Sequence, residues 1–519
     1  MGAIVVTVAA VARAQPAQPA PSTSASAAPS AGITAEPLAS ASAVSPPPSV
    51  EPLPVVELEK VPLTYKLEAV EVQGNERTAT RVVLRYVRFR PGTLLDVDDP
   101  ELELTRYRLL GTGFFKTVSL SLRKGSRRGA VVLVIDVDER NTVVVNDVWL
   151  GLSATADDQG RTRPLSAYGG ADVAETNLAG SGITLGGALA VAERQLAVRA
   201  RFFDPAFRGS PWMIQGSLHY ENAREFYGNR GVLFDDANIG RETLEDFAVV
   251  RYRRFGGALG AGHDLSVATQ LWVDYRVESI KAQLPRAASH LRGEEREPIL
   301  FHLQDGNSAL SSVRATLVHD TRSSPFLPTR GVYVNVAGTL ALAPLGSSYP
   351  FQKLEGRVST WFALRRTRGH VFGLSLYGGA ISGLAPIYER FYIGDLSDLL
   401  PDRILDLNTD TRPAPNFLGT AIQEVRYGEF AARVQGEYRI PAYRGGRSVF
   451  GIDLFFAGGV YAAGSLRDIE DPVRRYSGAA RFPADLTFNL GLRADTNVGG
   501  FSFAFSNVFG FLPLFRGDR

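Results

Sequence analysis

The 519 residues carry 56 basic and 54 acidic side chains, a formal net charge of +2, so no field of one sign steers nucleic acid or anionic lipid toward the chain as a whole. There is no cysteine, which excludes a disulfide scaffold and a thiol-ligated metal. With 52 glycines, 18 tyrosines, 29 phenylalanines and only 2 methionines, the composition suits many short strands joined by turns better than packed helices.

At the start of the chain, Ala3 to Val11 are apolar except for Thr7, and Ala12-Arg13-Ala14 forms an A-x-A cleavage pattern. Residues 1–14 are therefore expected to be a signal peptide; the missing basic segment ahead of them leaves an upstream start codon open. From Gln15 to about Glu57 the chain is mostly Ala, Pro and Ser without an aromatic residue, a composition that cannot bury a core. Residues 15–63 are expected to be a disordered linker. No later run reaches the roughly 18 apolar residues of a membrane-spanning helix, which excludes a helical bundle and leaves a membrane barrel open.

Residues 64–140 read as a small α+β domain. Leu67 to Gln73 alternates as a strand and ends at Gly74-Asn75, a turn signal. Arg77 to Arg88 places Val82, Val83, Tyr86 and Val87 at helical spacing. A second helix opens at Asp98-Asp99-Pro100 and is expected to close at Gly111 as a left-handed cap. Strands Phe115 to Leu122 and Ala130 to Asp138 follow, joined through a turn at Gly125–Gly129. Gly74, Asn75 and Thr78, with Thr112, Gly113 and Phe115 about 40 residues on, stand in VEVQGNERT and LLGTGFFKTVSLSL. With VVLVIDVDE after them, these segments resemble the POTRA domain of bacterial outer-membrane assembly factors. The resemblance implies a domain that takes up unfolded segments by adding them to a sheet edge.

From residue 141 to 519 two-residue alternation dominates. Ala432, Val434, Tyr438 and Ile440 oppose Arg433, Gln435, Glu437 and Arg439; Leu486, Phe488, Leu490 and Leu492 oppose Thr487, Asn489 and Arg493. Charge on every second position cannot face lipid cheaply. A transmembrane antiparallel β-barrel, apolar outside and polar within, accounts for both faces. About 15 strands can be placed; since single-chain barrels normally have an even number, 16 or 14 is expected.

Several barrel segments resemble the surface-antigen barrel of the BamA and TamA family, for which sixteen strands is the family value. They are Asn177-Leu178-Ala179-Gly180-Ser181-Gly182, Phe203-Asp204-Pro205, His319-Asp320-Thr321-Arg322, Glu389 to Gly394, Gly436 to Pro441 and Gly491 to Gly499. Asp320 and Arg322 share a strand face and are expected to pair in the lumen. The family's inward-folding loop carries Arg-Gly-aromatic, whose arginine meets acids on the barrel wall. Here the loop after Gly394 reads DLSDLLPDRILDLN, with Arg403 followed by Ile404 and Leu405. The resemblance implies a lock between Arg403 and Glu437, with Asp453 a further wall acid. Only about 20 residues follow Gly499, so the closing hairpin is expected to be shortened or absent.

The six histidines show no H-E-x-x-H or other metal spacing, and neither a phosphate loop nor G-x-S-x-G occurs. No cofactor and no enzymatic activity are expected. The run Arg251-Tyr252-Arg253-Arg254-Phe255 reads as strand and rim residues rather than a nucleic-acid surface. The resemblance implies an outer-membrane assembly or translocation factor, its POTRA domain in the periplasm, whose partners are unfolded outer-membrane or secreted polypeptides, the outer-membrane bilayer and an accessory periplasmic protein. The alternative is a passive pore whose POTRA domain docks a periplasmic partner.

Overall fold

A computed structural model describes Val8–Ala9 and residues 64–228, 232–235, 242–266, 268–285, 287–292, 295–324, 326–364, 366–397, 403–446, 448–471, 476–496 and 498–507. Apart from Val8–Ala9, the expected leader and linker lie outside the described residues, as do residues 508–519 at the end of the chain.

The small domain is a four-stranded sheet in the order Leu94–Asp96, Thr64–Gln73, Ala130–Glu139, Phe115–Lys124. Its two central strands run parallel, and each outer strand is antiparallel to its neighbour. Leu67, Val83, Leu95, Leu109, Leu133 and Ile135 are completely buried between sheet and helices, each stabilising the fold by roughly 1.5–3 kcal/mol. The first helix is shorter than its periodicity suggests, Thr80–Leu84. The amides ahead of it are taken elsewhere: those of Arg77 and Thr78 donate to the Glu139 carboxylate at 2.9 and 2.6 Å. The second helix, Pro100–Gly111, starts as its sequence indicates, with the Asp99 carboxylate accepting the Glu101 N–H at 2.8 Å. Its end differs. Thr112 remains right-handed, and the left-handed residue is Gly113 (φ 75°), two places beyond Gly111. Leu94–Asp96, three residues long, was too short to register as a strand in the alternation.

Beyond it, one antiparallel sheet runs from Val143–Ala156 to Gly499–Ser506, each strand bonded to its predecessor in sequence. The sheet contains sixteen strands, one of them the two-residue segment Val8–Ala9, so fifteen belong to the barrel proper. Between its first and fifteenth strands lies a seam. The Val145 N–H donates to the Val498 carbonyl at 2.9 Å on the side of the small domain, and Val8–Ala9 pairs antiparallel with Phe503 and Ser502. Outward residues are apolar and exposed, among them Leu259, Val273, Tyr275, Val434 and Leu490, whereas Asp485, Thr487 and Asn489 are buried within. This is a membrane barrel, and no described helix is long and apolar enough to cross a membrane. The strands Trp212–Tyr227 and Ala248–Asp264 have 16 and 17 residues, against the roughly 9–11 that cross a bilayer. Their ends away from the small domain therefore project beyond the apolar belt.

Candidate functional site

Between the strands Val371–Gly383 and Phe430–Arg444 a long loop folds into the lumen. Phe391–Tyr392 pairs with Tyr427–Gly428 at its base, and Arg403–Ile404 pairs with Leu407–Asn408 in a hairpin farther along. Both central residues of that hairpin turn, Leu405 (φ 48°) and Asp406 (φ 67°), are left-handed. Such a turn needs two positive φ values, which aspartate tolerates and leucine adopts at a cost of order 1–2 kcal/mol. The strained tip puts the Asp406 carboxylate 3.1 Å from Arg199 and 3.8 Å from Arg254, both on the barrel wall.

Arg254 is the hub. Its guanidinium lies 2.8 Å from Glu221 and 3.0 Å from Glu278, and stacks 4.0 Å over the ring of the loop residue Tyr388. Arg276 joins Glu278 to the loop's Glu389, the latter at 2.7 Å. Lys353 donates to the Glu389 carbonyl at 3.0 Å. Alongside, the buried Glu225 accepts from Tyr252 at 3.0 Å and from the loop residues Tyr427 and Asn408 at 2.6 and 3.1 Å. On the opposite wall, Asp485 accepts the amides of Phe417 and Leu418, both at 2.9 Å. Arg199, Arg254, Arg276 and Lys353 are thus balanced by Glu221, Glu278, Glu389 and Asp406. Balance matters because a buried ion deprived of its partner costs about 3–5 kcal/mol.

The loop is held, but not by the residues that the resemblance suggested. Arg403 pairs with Asp395 of its own loop at 2.5 Å, donates to the Tyr388 carbonyl at 3.2 Å and lies over Tyr392. Glu437 is occupied by Arg493 at 2.7 Å and Arg439 at 3.4 Å, and Asp453 by Arg444 at 2.5 Å and Arg439 at 3.6 Å. The structure therefore does not bring Arg403 and Glu437 together. The wall supplies Glu437 with its own cations, and the loop carries an acid eight residues before its arginine. The polarity of the lock is reversed: loop acids meet wall arginines. Asp320 and Arg322 do meet, at 2.6 Å, with Arg322 over the Tyr333 ring.

The motif residues of the small domain serve a joint. Gly74 (φ 81°) turns where a Cβ would lie 2.0 Å from the Val137 carbonyl oxygen. The Asn75 amide donates to the Thr78 carbonyl at 2.8 Å. The Thr78 hydroxyl in turn accepts from Asn177, on the first barrel turn facing this domain, at 2.7 Å. Beside it the Ala79 N–H donates to the Gly180 carbonyl at 3.0 Å. A Cβ on Gly180 would meet the Arg77 carbonyl oxygen at 2.0 Å, and one on Gly182 would meet Val82 at 2.9 Å. Thr112 closes the second helix by donating to the Leu109 carbonyl at 2.7 Å, Gly113 makes the turn, and Phe115 enters the core. At the domain's exit Arg140 donates to the Thr496 carbonyl, approaches Asp495 at 3.8 Å and stacks 4.9 Å over Phe450.

Two family models match: the POTRA model, described as a surface antigen variable number repeat, over residues 65–140, in step with the small domain, and the Omp85 superfamily domain over residues 177–399, from the turn after the second barrel strand into the inward loop. The chain is thus similar to the Omp85 superfamily in its barrel and to POTRA repeats in its small domain. A curated Omp85 relative, outer membrane protein assembly factor BamA of Nitratidesulfovibrio vulgaris, is 25% identical over 351 residues. That match takes in 64% of this chain but only 37% of the relative, so the chain corresponds to little more than a third of that protein's length. Among solved structures, CdiB from Escherichia coli superposes with a TM-score of 0.53 at 11% identity, covering 88% of this chain and 73% of that one, a likeness of fold. BamA from Haemophilus ducreyi lacking POTRA domains 1–3 gives a TM-score of 0.47 at 16% identity, covering 85% and 81%. The match to the Omp85 domain, together with the apolar outer wall, supports an outer-membrane location for the barrel.

Proposed function

We propose that this protein receives unfolded polypeptides on its POTRA domain, in the periplasm, and inserts them into the outer membrane or passes them through it at the barrel. The observation that carries this reading is the open strand Phe115–Lys124. It is bonded to Ala130–Glu139 on one side and has no sheet neighbour on the other among the described residues. An unpaired row of N–H and C=O groups accepts an extended chain without demanding a particular sequence. Thr64–Gln73 offers a shorter open edge, because Leu94–Asp96 pairs with its first three residues on that side. A loop fastened across the lumen at several points supports this reading over that of a passive pore.

In an antiparallel ladder the amides of successive residues point to opposite sides. Of Ser119→Pro and Leu120→Pro, one therefore removes an outward amide and leaves the domain's own ladder intact. That variant should lose crosslinking to unfolded outer-membrane precursors while keeping a folded POTRA domain and a heat-modifiable barrel. If both folded variants crosslink as the parent does and outer-membrane composition is unchanged, a docking pore replaces the assembly factor.

A further inference from the structure

The run Arg251 to Phe255 divides between the two faces of its strand. Tyr252 and Arg254 are buried toward the lumen, whereas Arg253 and Phe255 are exposed on the outer wall. There, on the side of the barrel away from the POTRA domain, lies a cavity of about 340 Å³ whose lining includes Arg194, Arg224, Arg251, Arg253 and Lys281. Asp158 is the one acid among the residues that line it. Its carboxylate is already shared, meeting Arg194, Arg251 at 2.8 Å and Arg224 at 3.5 Å. Nearby Glu193 is engaged with Arg163 at 2.6 Å and with Ser166 at 3.0 Å. Arg253 and Lys281 have no acidic partner among the described residues.

Register sharpens the point. Arg224 stands directly across from Arg251, and Arg253 directly across from Lys281. Like charges directly opposed on neighbouring strands destabilise a sheet. Asp158 relieves the first pair, and no described side chain relieves the second. An anion spanning Arg253 and Lys281 would do so with charge-assisted hydrogen bonds, and arginine's planar fork suits phosphate.

We propose that this cluster binds the phosphorylated headgroup of an outer-leaflet lipid, given the orientation read above with the POTRA domain in the periplasm. What favours a lipid over a soluble anion is the wall that continues from the cluster. On the same face of the same strands, Arg253 gives way to Phe255 and Leu259, Asn222 to Tyr220 and Leu218, and Lys281 to Val277 and Tyr275, all of these apolar or aromatic side chains exposed. A headgroup seated on the cations thus has its acyl chains against a ready apolar surface, whereas a free phosphate has no use for it.

The test is native mass spectrometry of the detergent-solubilised full chain, titrated separately with bis-phosphorylated lipid A, its enzymatically dephosphorylated form, phosphatidylcholine and inorganic phosphate. The phosphorylated glycolipid should be retained, with binding that weakens as salt rises. Arg253→Ala with Lys281→Ala should weaken retention about ten- to hundredfold, and Arg330→Ala, at the other end of the barrel, should leave it unchanged. A heat-modifiable band establishes that each variant folds, and if the double variant does not, the parent's discrimination between the two glycolipids decides. Equal retention of the dephosphorylated form, no retention of either form, or indifference of a folded double variant would overturn the proposal. Competition by inorganic phosphate at equal concentration would reassign the cluster to a soluble anion.

Discussion

The two faces of the strand Ala248–Asp264 treat arginine in opposite ways. Inside, Arg254 is almost wholly buried and enclosed by Glu221, Glu278 and an aromatic ring. Outside, one residue earlier, Arg253 faces Lys281 with nothing described to neutralise either. Compensated charge in a lumen holds structure together, and its removal leaves an ion stranded. Uncompensated charge at a rim stabilises nothing in the isolated protein, which makes it free to serve a ligand. Two adjacent arginines thus contribute to two unrelated pieces of physics.

Arg254→Ala should break the inner face most severely. It takes the nearest cation from the buried Glu221, leaving it only Arg199 at 3.6 Å, leaves Glu278 to Arg276, and removes the stacking on Tyr388, so a loss of about 3 kcal/mol is expected, measured as a lower temperature for loss of heat-modifiability. Limited proteolysis of the 384–429 loop should accelerate in parallel, and an unchanged cleavage rate would mean that the loop is held elsewhere. Arg403→Ala is expected to act more weakly, about 1.5–3 kcal/mol, because its partner Asp395 belongs to the same loop. Glu437→Ala should leave loop cleavage as it was, since among the described residues Glu437 forms its ion pairs with the wall arginines Arg493 and Arg439. Equal loop exposure in Arg403→Ala and Glu437→Ala would restore the lock that the family resemblance suggested. On the outer face Arg253→Ala should change stability by no more than about 0.5 kcal/mol, if anything favourably, because it ends a like-charge opposition. A large loss there would show that an acid already serves this arginine, and the contrast between the faces would disappear.

The barrel was legible because lipid and lumen impose a period of two: Val434 against Gln435, or Leu490 against Asn489, writes the same code on every strand. Asp99-Pro100 marked the second helix start through local hydrogen bonding alone. The loop contacts left no such trace. Asp406 meets Arg199 and Arg254 across more than 150 positions of chain, and nothing periodic links them. Arg403 was readable as a lock residue only by resemblance, whereas its actual partner, Asp395, sat unremarked in the segment DLSDLLPDRILDLN. The joint was half visible. Gly180 and Gly182 stood in a recognisable motif, but that their missing side chains make room for Arg77 and Val82 could not be known before the two domains were seen together.

That joint has a mechanical consequence. The POTRA domain grips the barrel on both sides of the seam, through Thr78 and Ala79 on the turn that follows the second strand and through Arg140 on the turn before the fifteenth. These are separate handholds on separate margins, and the seam between them is bridged at that end by a backbone bond from Val145 to Val498. With contacts on both margins, any displacement of the POTRA domain would be borne by the two edges of the seam together rather than by a single strand.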